Sequence, residues 1–196
     1  MTDDRQRIIN FARGVEKDKD FRWAELYSLV LTSANLQGLV MHGATLTNAK
    51  FSKSNLEKVN FSSTGLQGAK FIDANLRWAN FKQADLENAD LSGADLTGAD
   101  LTGANLSRAR LIGTNLKSAR LNQANLSSTI LEEARLDGVD LSFAKMVNTC
   151  LRGANLTGAN LSYTKIFGTD FTNATLIGVK LYKSSLTNAT TEGARF

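Results

Sequence analysis

Proline is absent from all 196 residues of the chain, and cysteine and histidine occur once each. The single cysteine, Cys150, can form neither an internal disulfide nor a zinc site built from several cysteines. Covalent cross-links are therefore excluded as a source of stability within the chain. The absence of proline fits a fold in which most backbone N–H groups are needed as hydrogen-bond donors.

Long apolar stretches are also missing. No segment approaches about eighteen consecutive apolar residues, and the charged start MTDDRQRIINF lacks the apolar segment of a signal peptide. A lone cysteine agrees with a reducing compartment. The sequence therefore predicts a cytoplasmic protein with no membrane segment and no membrane partner.

Basic residues are not concentrated in any run of the chain. The net charge of +4 could indicate an acidic partner such as nucleic acid. However, the basic residues are scattered among acidic ones, and base-stacking aromatic residues are not interleaved with them in the way that a nucleic-acid groove requires. The sequence therefore disfavours nucleic acid as a partner.

A period of five residues runs through most of the chain. From Phe21 to Leu186, every fifth residue is Leu, Phe, Met or Ile, and no insertion breaks the register. Two residues earlier in each unit stands a small or compact residue, as at Ala94. The other positions are mostly polar. A fixed internal period of this kind decides the fold class before any local signal does.

Neither regular secondary structure accommodates a period of five. On an α-helix five residues advance by about 140°, which would scatter the large apolar residues around the cylinder. In a straight strand an odd period would place them on alternate faces. The chain must therefore turn once per unit, with Gly or Asn often at the corner, as at Asn88 and Gly98. Each unit then forms one wall of a tube.

The pairing of opposite charges between coils does not by itself give the number of walls in each turn of the tube. Lags of twenty and twenty-five residues place opposite charges in register equally often, as for Asp90 with Arg110 at the shorter lag. A lag of fifteen places opposite charges in register less often, so three walls are disfavoured. Four and five walls both remain compatible with the charges. The core ladder favours four, because a lag of twenty would stack phenylalanines on one another: Phe51 on Phe71, and Phe61 on Phe81.

The chain repeats the motif A(D/N)LxG, as in ADLSGADLTGADLTGANL, and in this it resembles the pentapeptide-repeat family over residues 21 to about 190. The resemblance implies an all-β solenoid without a cofactor: a right-handed, four-sided parallel β-helix of about twenty residues per coil. It implies roughly eight to nine coils for this chain. Family members include acidic rods that mimic DNA and bind gyrase, and cyanobacterial regulators of cell differentiation that act through protein contacts.

The first twenty residues are predicted to close one end of the tube. Thr2 is a candidate N-cap of a short amphipathic helix, and Trp23 is expected to pack beneath that helix. The helix would present an apolar side at helical spacing, formed by Ile8, Phe11, Ala12 and Val15. We therefore divide the chain into a capping helix with its linker, residues 1–20, and a β-helix, residues 21–196.

The C-terminal end has no comparable segment. The repeat continues to the last residue, with Thr191 as the one departure and Phe196 back in register. An open end coil exposes apolar side chains and unpaired backbone groups. Either Phe196 folds over the opening or two copies of the chain form a homodimer through their C-terminal coils.

Side chains that could support catalysis are scarce. His42 and Cys150 both fall at outward-facing positions, where a solvated surface role is the simpler interpretation. An acidic run could be taken for a cation site, but pairing with Lys70, Arg110 and Arg120 of adjacent coils explains it better; the run comprises Asp85, Glu87, Asp90, Asp95 and Asp100. No phosphate-binding loop is present. The sequence predicts a protein that is not an enzyme and binds no metal or cofactor.

The remaining hypothesis is a rigid rod that binds a protein partner, as yet unidentified, on its outer surface. An exposed apolar patch on a polar wall would be its site. At a lag of twenty, one such patch would form from Phe143, Val147, Tyr163, Phe167 and Tyr182. Aromatic stacking that only stabilises the rod would produce the same pattern. The alternative function is DNA mimicry directed at a type II topoisomerase, which the positive net charge disfavours.

Overall fold

The computed structural model describes residues 3–196, which form a helix and a right-handed, four-sided β-helix. The helix, α1, spans Asp4–Ala12. Two short strands, β1 (Lys145–Val147) and β2 (Lys165–Phe167), pair in parallel. Elsewhere the coils are joined by isolated parallel bridges, which begin with Asp20 and Val40 and end with Thr175 and Arg195. The predicted fold class is confirmed.

The bridges between coils show how many walls each turn has, a number that charge pairing alone did not decide. Each bridged residue pairs with the residue twenty positions later, for example Asn55 with Asn75 and Asp90 with Arg110. Twenty residues per coil and five per wall give four walls. The backbone bonds repeat with the same register, since Leu56 N donates to Asn75 O at 2.8 Å.

The bore of the tube is filled by the large residue of each unit and the small residue two positions before it. Phe51, Phe61, Phe71 and Phe81 are all fully buried. The rings of Phe51 and Phe71 stack with centroids 5.3 Å apart, and those of Phe61 and Phe81 stack at 5.1 Å. The core ladder therefore adopts the register predicted from the sequence.

Hydroxyl groups replace the small apolar residue at several places in the bore. Each buried hydroxyl donates to the main-chain carbonyl of the residue 23 positions earlier, as Thr129 Oγ1 does to Leu106 O at 2.7 Å. The same bond is made by Ser54, Thr64, Thr114, Thr149, Thr164 and Thr169. A buried hydroxyl is tolerated here because it is hydrogen-bonded.

Helix α1 covers the first coil with only part of the predicted apolar side. Ile8 is completely buried, and Phe11 and Ala12 pack partly buried against the core. Val15 is 74% exposed, so its assignment to the apolar side of the helix is wrong: α1 ends at Ala12 and the chain turns away.

The helix begins at an aspartate. Asp3 accepts a hydrogen bond from Arg5 N at 3.1 Å and is the N-cap. Thr2, the candidate cap in the sequence, lies outside the described residues.

Trp23 does not pack beneath the helix, which corrects the prediction. Its side chain is 68% exposed and meets His42 edge-on, with ring centroids 4.9 Å apart. The cause is the corner backbone, with φ of 62° at Trp23, which directs the indole along the outside of the next coil. The helix is held instead by Arg7, which pairs with Asp4 and Asp18 at 2.6 Å and lies over the Phe21 ring.

The opposite end of the tube is open. A cavity of about 220 Å³ lies in the last coil and is lined mainly by apolar side chains: Leu161, Leu176, Val179, Leu181, Leu186 and Phe196. Phe196 borders this cavity but is 70% exposed, so it covers little of the apolar end.

Candidate docking surface

The five residues predicted to form an outer patch lie near the C-terminal end in two groups, one on either side of the Lys145–Lys165 pair. We call this patch the docking surface: Phe143, Val147, Tyr163, Phe167 and Tyr182. Its aromatic members are between 41% and 62% exposed. The register places Val147 beside Phe167 in the β1–β2 ladder. The structure thus brings together residues that are up to 39 positions apart in sequence.

The aromatic side of the docking surface is a continuous stack. The rings of Phe143 and Tyr163 are parallel within 4°, with centroids 4.7 Å apart. Tyr182 contacts Tyr163 edge-on at 5.4 Å. Because 4.7 Å matches the spacing of neighbouring strands, the Phe143 and Tyr163 rings overlap along the tube axis. Their shared faces are covered, and their edges are available to solvent.

Lysines are interleaved with these aromatic residues, which the sequence analysis did not recognise. Lys145 and Lys165 are exposed and stand between the Phe143–Tyr163 stack and the Val147–Phe167 pair. Lys183 places its Nζ 5.6 Å from the ring centroids of both Tyr163 and Tyr182. We call Lys145, Lys165 and Lys183 the lysine cluster. The twenty-residue register was the signal that could have revealed it.

Two of the outer aromatic positions are conformationally costly. Phe143 and Tyr163 occupy corners with φ of 60° and 59°. Bulky residues are rare at positive φ, and the left-handed conformation costs about 1–2 kcal/mol. The five preceding coils carry Gly, Ser or Gln at the same corner, for example Gly103 and Gln123, although the first coil carries Trp23 there. The stack therefore forms at positions where small residues fit with less strain.

The acidic run is neutralised by bases from neighbouring coils. Arg110 lies 4.0 Å from Asp90, and Arg120 and Lys82 lie 3.5 and 3.2 Å from Asp100. Lys70, also expected to pair here, forms no ion pair among residues 3–196. Burial would raise the pKa of Asp100, but hydrogen bonds from Thr102 and Lys82 outweigh burial and lower it.

The two single-copy residues each have a local partner. His42 Nδ1 lies 2.8 Å from Ser62 Oγ, so the imidazole is hydrogen-bonded and only partly exposed. The Cys150 thiol lies 3.4 Å from Glu132 Oε1, and partial burial raises the pKa of that thiol. A raised pKa reduces the thiolate fraction near neutral pH.

Residues 3–196 contain no cluster of three or more His, Cys, Asp or Glu arranged to hold a metal ion. No helix in that range has the length and apolar character required to cross a membrane.

The repeats match a known protein family. The family profile described as pentapeptide repeats, in eight copies, matches residues 24–62, 60–98, 79–117, 119–158 and 154–190. A search of curated proteins found no significant match.

Three solved structures are informative comparisons. HetL from the cyanobacterium Nostoc sp. strain PCC 7120, a pentapeptide repeat protein involved in heterocyst differentiation regulation, is 31% identical over 95% of this chain and 94% of that one, with a TM-score of 0.55. Full-length QnrB1, a plasmid-mediated fluoroquinolone resistance protein, is 20% identical over 88% and 93%, with a TM-score of 0.46. A pentapeptide repeat protein from the Arabidopsis thaliana thylakoid lumen is 32% identical over 60% and 64%, with a TM-score of 0.27.

Proposed function

The chain belongs to the pentapeptide-repeat family, and we propose that it is a non-enzymatic rod that binds a protein partner through the docking surface. The observation that carries this proposal is the pair of exposed apolar groups, Phe143 with Tyr163 and Tyr182, and Val147 with Phe167, on an otherwise polar surface. Exposed apolar patches rimmed by polar residues mark interaction sites, and aromatic residues dominate binding energy at such sites.

The similarity to HetL supports a regulatory rather than a purely structural role. HetL is involved in regulating heterocyst differentiation, and it is 31% identical to this chain over 95% of its length. We propose that this chain likewise regulates a process by contacting another protein.

Backbone strain argues against stacking as the sole reason for the aromatic residues. Residues at positive φ lose stability when they carry a Cβ atom, and Phe143 and Tyr163 both do. Gly103 occupies the same corner of an earlier coil at φ of 67°. A rod that needed only stability has a less strained choice at this corner.

The proposal is tested by affinity capture from the source organism's lysate, with mass spectrometry as the readout. The bait is the full chain, and the test variant is Phe143→Ser with Phe167→Ser. Both changes suit their positions, because Ser63 is accepted at the corner and Ser107 on the wall. The matched control is Trp78→Ser, which removes an exposed aromatic side chain at a different corner.

A protein retained by the wild type and by the Trp78 control, and lost by the double variant, is the expected result. Equal recovery by all three baits would contradict the assignment of the docking surface. A circular dichroism melt of each bait confirms that differences in capture do not arise from unfolding.

DNA mimicry is the weaker alternative. A mimic of duplex DNA needs a strongly negative surface, whereas this chain has a net charge of +4 and pairs its acidic run with Arg110, Arg120 and Lys82. We expect no inhibition of gyrase supercoiling at micromolar concentrations of the protein. Inhibition at or below that concentration would restore mimicry as the preferred function.

We also propose that two copies meet at their open C-terminal ends. The apolar cavity beside Phe196 is uncovered in a single chain, and a second copy would bury it. A cytoplasmic location is proposed on the basis of the single cysteine, which agrees with a reducing compartment. Cell fractionation with an antibody against the chain tests that location directly.

A further inference from the structure

We infer that the partner presents an acidic segment to the docking surface, with its carboxylates on the lysine cluster and its apolar side chains on the aromatic stack. This inference rests on the proposed function, because it names the chemistry of the partner at that same surface. Across the described part of the chain, the rod itself leaves the positive charges of the lysine cluster without ion pairs.

Lys145 and Lys165 are direct neighbours in the β1–β2 ladder. Like charges placed opposite each other in a sheet are destabilising. None of the three members of the lysine cluster forms an ion pair within residues 3–196. The preceding ladder neighbour is Asn125, and the residue twenty positions after Lys165 is Ser185. The ladder that contains Lys145 and Lys165 therefore offers their ammonium groups no neighbouring carboxylate.

The same ladder holds its carboxylates far from the lysines. Asp85 bridges to Asn105, Asn105 to Asn125, and Asn125 to Lys145. Three coil steps separate Asp85 from Lys145, which is about 14 Å at the spacing of neighbouring strands. That distance exceeds the Debye length of about 8 Å at physiological salt. The C-terminal part of the wall is thus a distinct patch of positive charge.

The other like-charge lysine pair in the ladders has a carboxylate as its next neighbour, which distinguishes this patch from it. Lys50 and Lys70 also form a like pair on another wall, but the next ladder neighbour of Lys70 is Asp90. The corners near that pair carry no aromatic stack. Local violations of compensation tend to mark functional positions, since stability alone would remove them.

The orientation of the aromatic rings favours carboxylates over nucleic acid bases. Phe143 and Tyr163 each cover one face of the other ring, and Lys183 lies over Tyr163 and Tyr182. The bases of single-stranded nucleic acid stack on free ring faces, and these contacts reduce the number of faces that are free. Ring edges carry the positive part of the aromatic quadrupole and favour oxygen atoms and apolar contacts. A polypeptide with Asp or Glu beside apolar residues satisfies both features.

The test is selection of peptides from a phage-displayed library of random dodecapeptides on the immobilised full chain. Peptides that also bind the Phe143→Ser, Phe167→Ser variant are removed, so that the retained ones require the docking surface. We expect the retained peptides to be enriched in Asp and Glu together with Leu, Ile or aromatic residues. The same selection on a Lys145→Glu, Lys165→Glu variant should instead enrich Lys and Arg.

Binding of the leading peptide is then measured by fluorescence anisotropy against two charge-neutral variants. Lys145→Asn with Lys165→Asn continues the asparagines of the preceding coils and should weaken binding by about fivefold or more. The matched control, Lys50→Asn with Lys70→Asn, removes the same charge from another wall and should change affinity by less than about twofold. Affinity should also fall with added sodium chloride, because exposed charges are screened.

The outcomes separate this inference from the proposed function. Retained peptides without an enrichment in Asp and Glu would contradict the inference that the partner is acidic. The docking surface would still be a peptide-binding site in that case. Failure to retain any peptide that requires Phe143 and Phe167 would overturn both. A twenty-nucleotide oligothymidylate is the nucleic acid probe: binding tighter than that of the peptides, with loss in the Lys145→Asn, Lys165→Asn variant, would replace the acidic segment with single-stranded nucleic acid.

Discussion

Trp78 lies against Gly98, the corner residue of the next coil, so closely that a Cβ atom at Gly98 would overlap the indole ring. Trp23 and Gly43 have the same relationship at another corner. Trp78 and Gly98 are twenty positions apart, and each has positive φ, at 58° and 69°. Large corner side chains therefore fold over small corner residues, which couples successive coils outside the bore as well as inside it.

This relationship predicts that Gly98→Ala is more destabilising than the same change at an uncrowded corner. Alanine at positive φ costs about 1–2 kcal/mol wherever it is placed. At Gly98 it must also displace the Trp78 ring. Gly138→Ala is the control, because Gly138 has φ of 65° and nothing lies within 4 Å of an added Cβ. Urea unfolding of the two variants measures the difference, and equal losses would show that the Trp78 contact contributes nothing.

The core ladder predicts different costs for two substitutions of Phe71. Phe71→Ala leaves a cavity beside Phe51 and should lower the free energy of unfolding by about 3–5 kcal/mol. Phe71→Leu should cost only about 1 kcal/mol, since Leu91 fills the equivalent position of the next coil. Thermal and urea unfolding provide the measurement. Similar losses for both variants would contradict the importance of cavity volume at this position.

We expect the first coil of the β-helix to lose stability in acid when the carboxylate of Asp20 is protonated. Hydrogen bonds from Arg22 lower the pKa of Asp20 from 3.8 to about 2. A lowered pKa in the folded state means that the carboxylate stabilises the fold above pH 3.8, and that this contribution is lost as the pH falls through about 2. Carboxyl chemical shifts measured by NMR against pH test this value. Arg22→Ala should return the titration towards pH 3.8, and an unchanged midpoint would contradict the assigned cause.

Cys150 should be a slow nucleophile despite its position on the outer surface. Partial burial, with Glu132 nearby, raises the pKa of its thiol, so less thiolate is present at pH 8 than in a free cysteine. We expect iodoacetamide to alkylate folded Cys150 more slowly than the same residue in urea, and Glu132→Gln to accelerate the folded reaction. Mass spectrometry of timed samples gives the rates. Equal rates in the folded and unfolded chain would be inconsistent with a raised pKa.

The open C-terminal end predicts self-association. Because Phe196 borders an uncovered apolar cavity, we expect size-exclusion chromatography with light scattering to show twice the chain mass of 21.3 kDa. Phe196→Glu should restore the monomer, since a two-fold interface would bring two added charges together. Val15→Glu, at an exposed apolar residue of the other end, should leave the dimer intact. A monomeric wild type at 100 μM would rule out this interface.

Some features of the site could be read from sequence and others could not. The partners of Phe143 and Val147 followed from a lag of twenty, because stacking in a regular solenoid preserves register from coil to coil. The lysine cluster follows the same register but was missed, since lysines scattered along the sequence gave no sign of an isolated positive patch. Proximity between coils depends on which residues share a wall.

The sequence by itself determined the repeat, the identity of the inward residues and the tubular form, because a period of five leaves the large apolar side chains only one common place to be buried. Tertiary structure decided the number of walls, the direction of Trp23 and the end of α1 before Val15. The number of walls depends on how far each corner turns and on bridges between residues twenty positions apart. Neither is a property of one unit, so only the assembled coils could fix them.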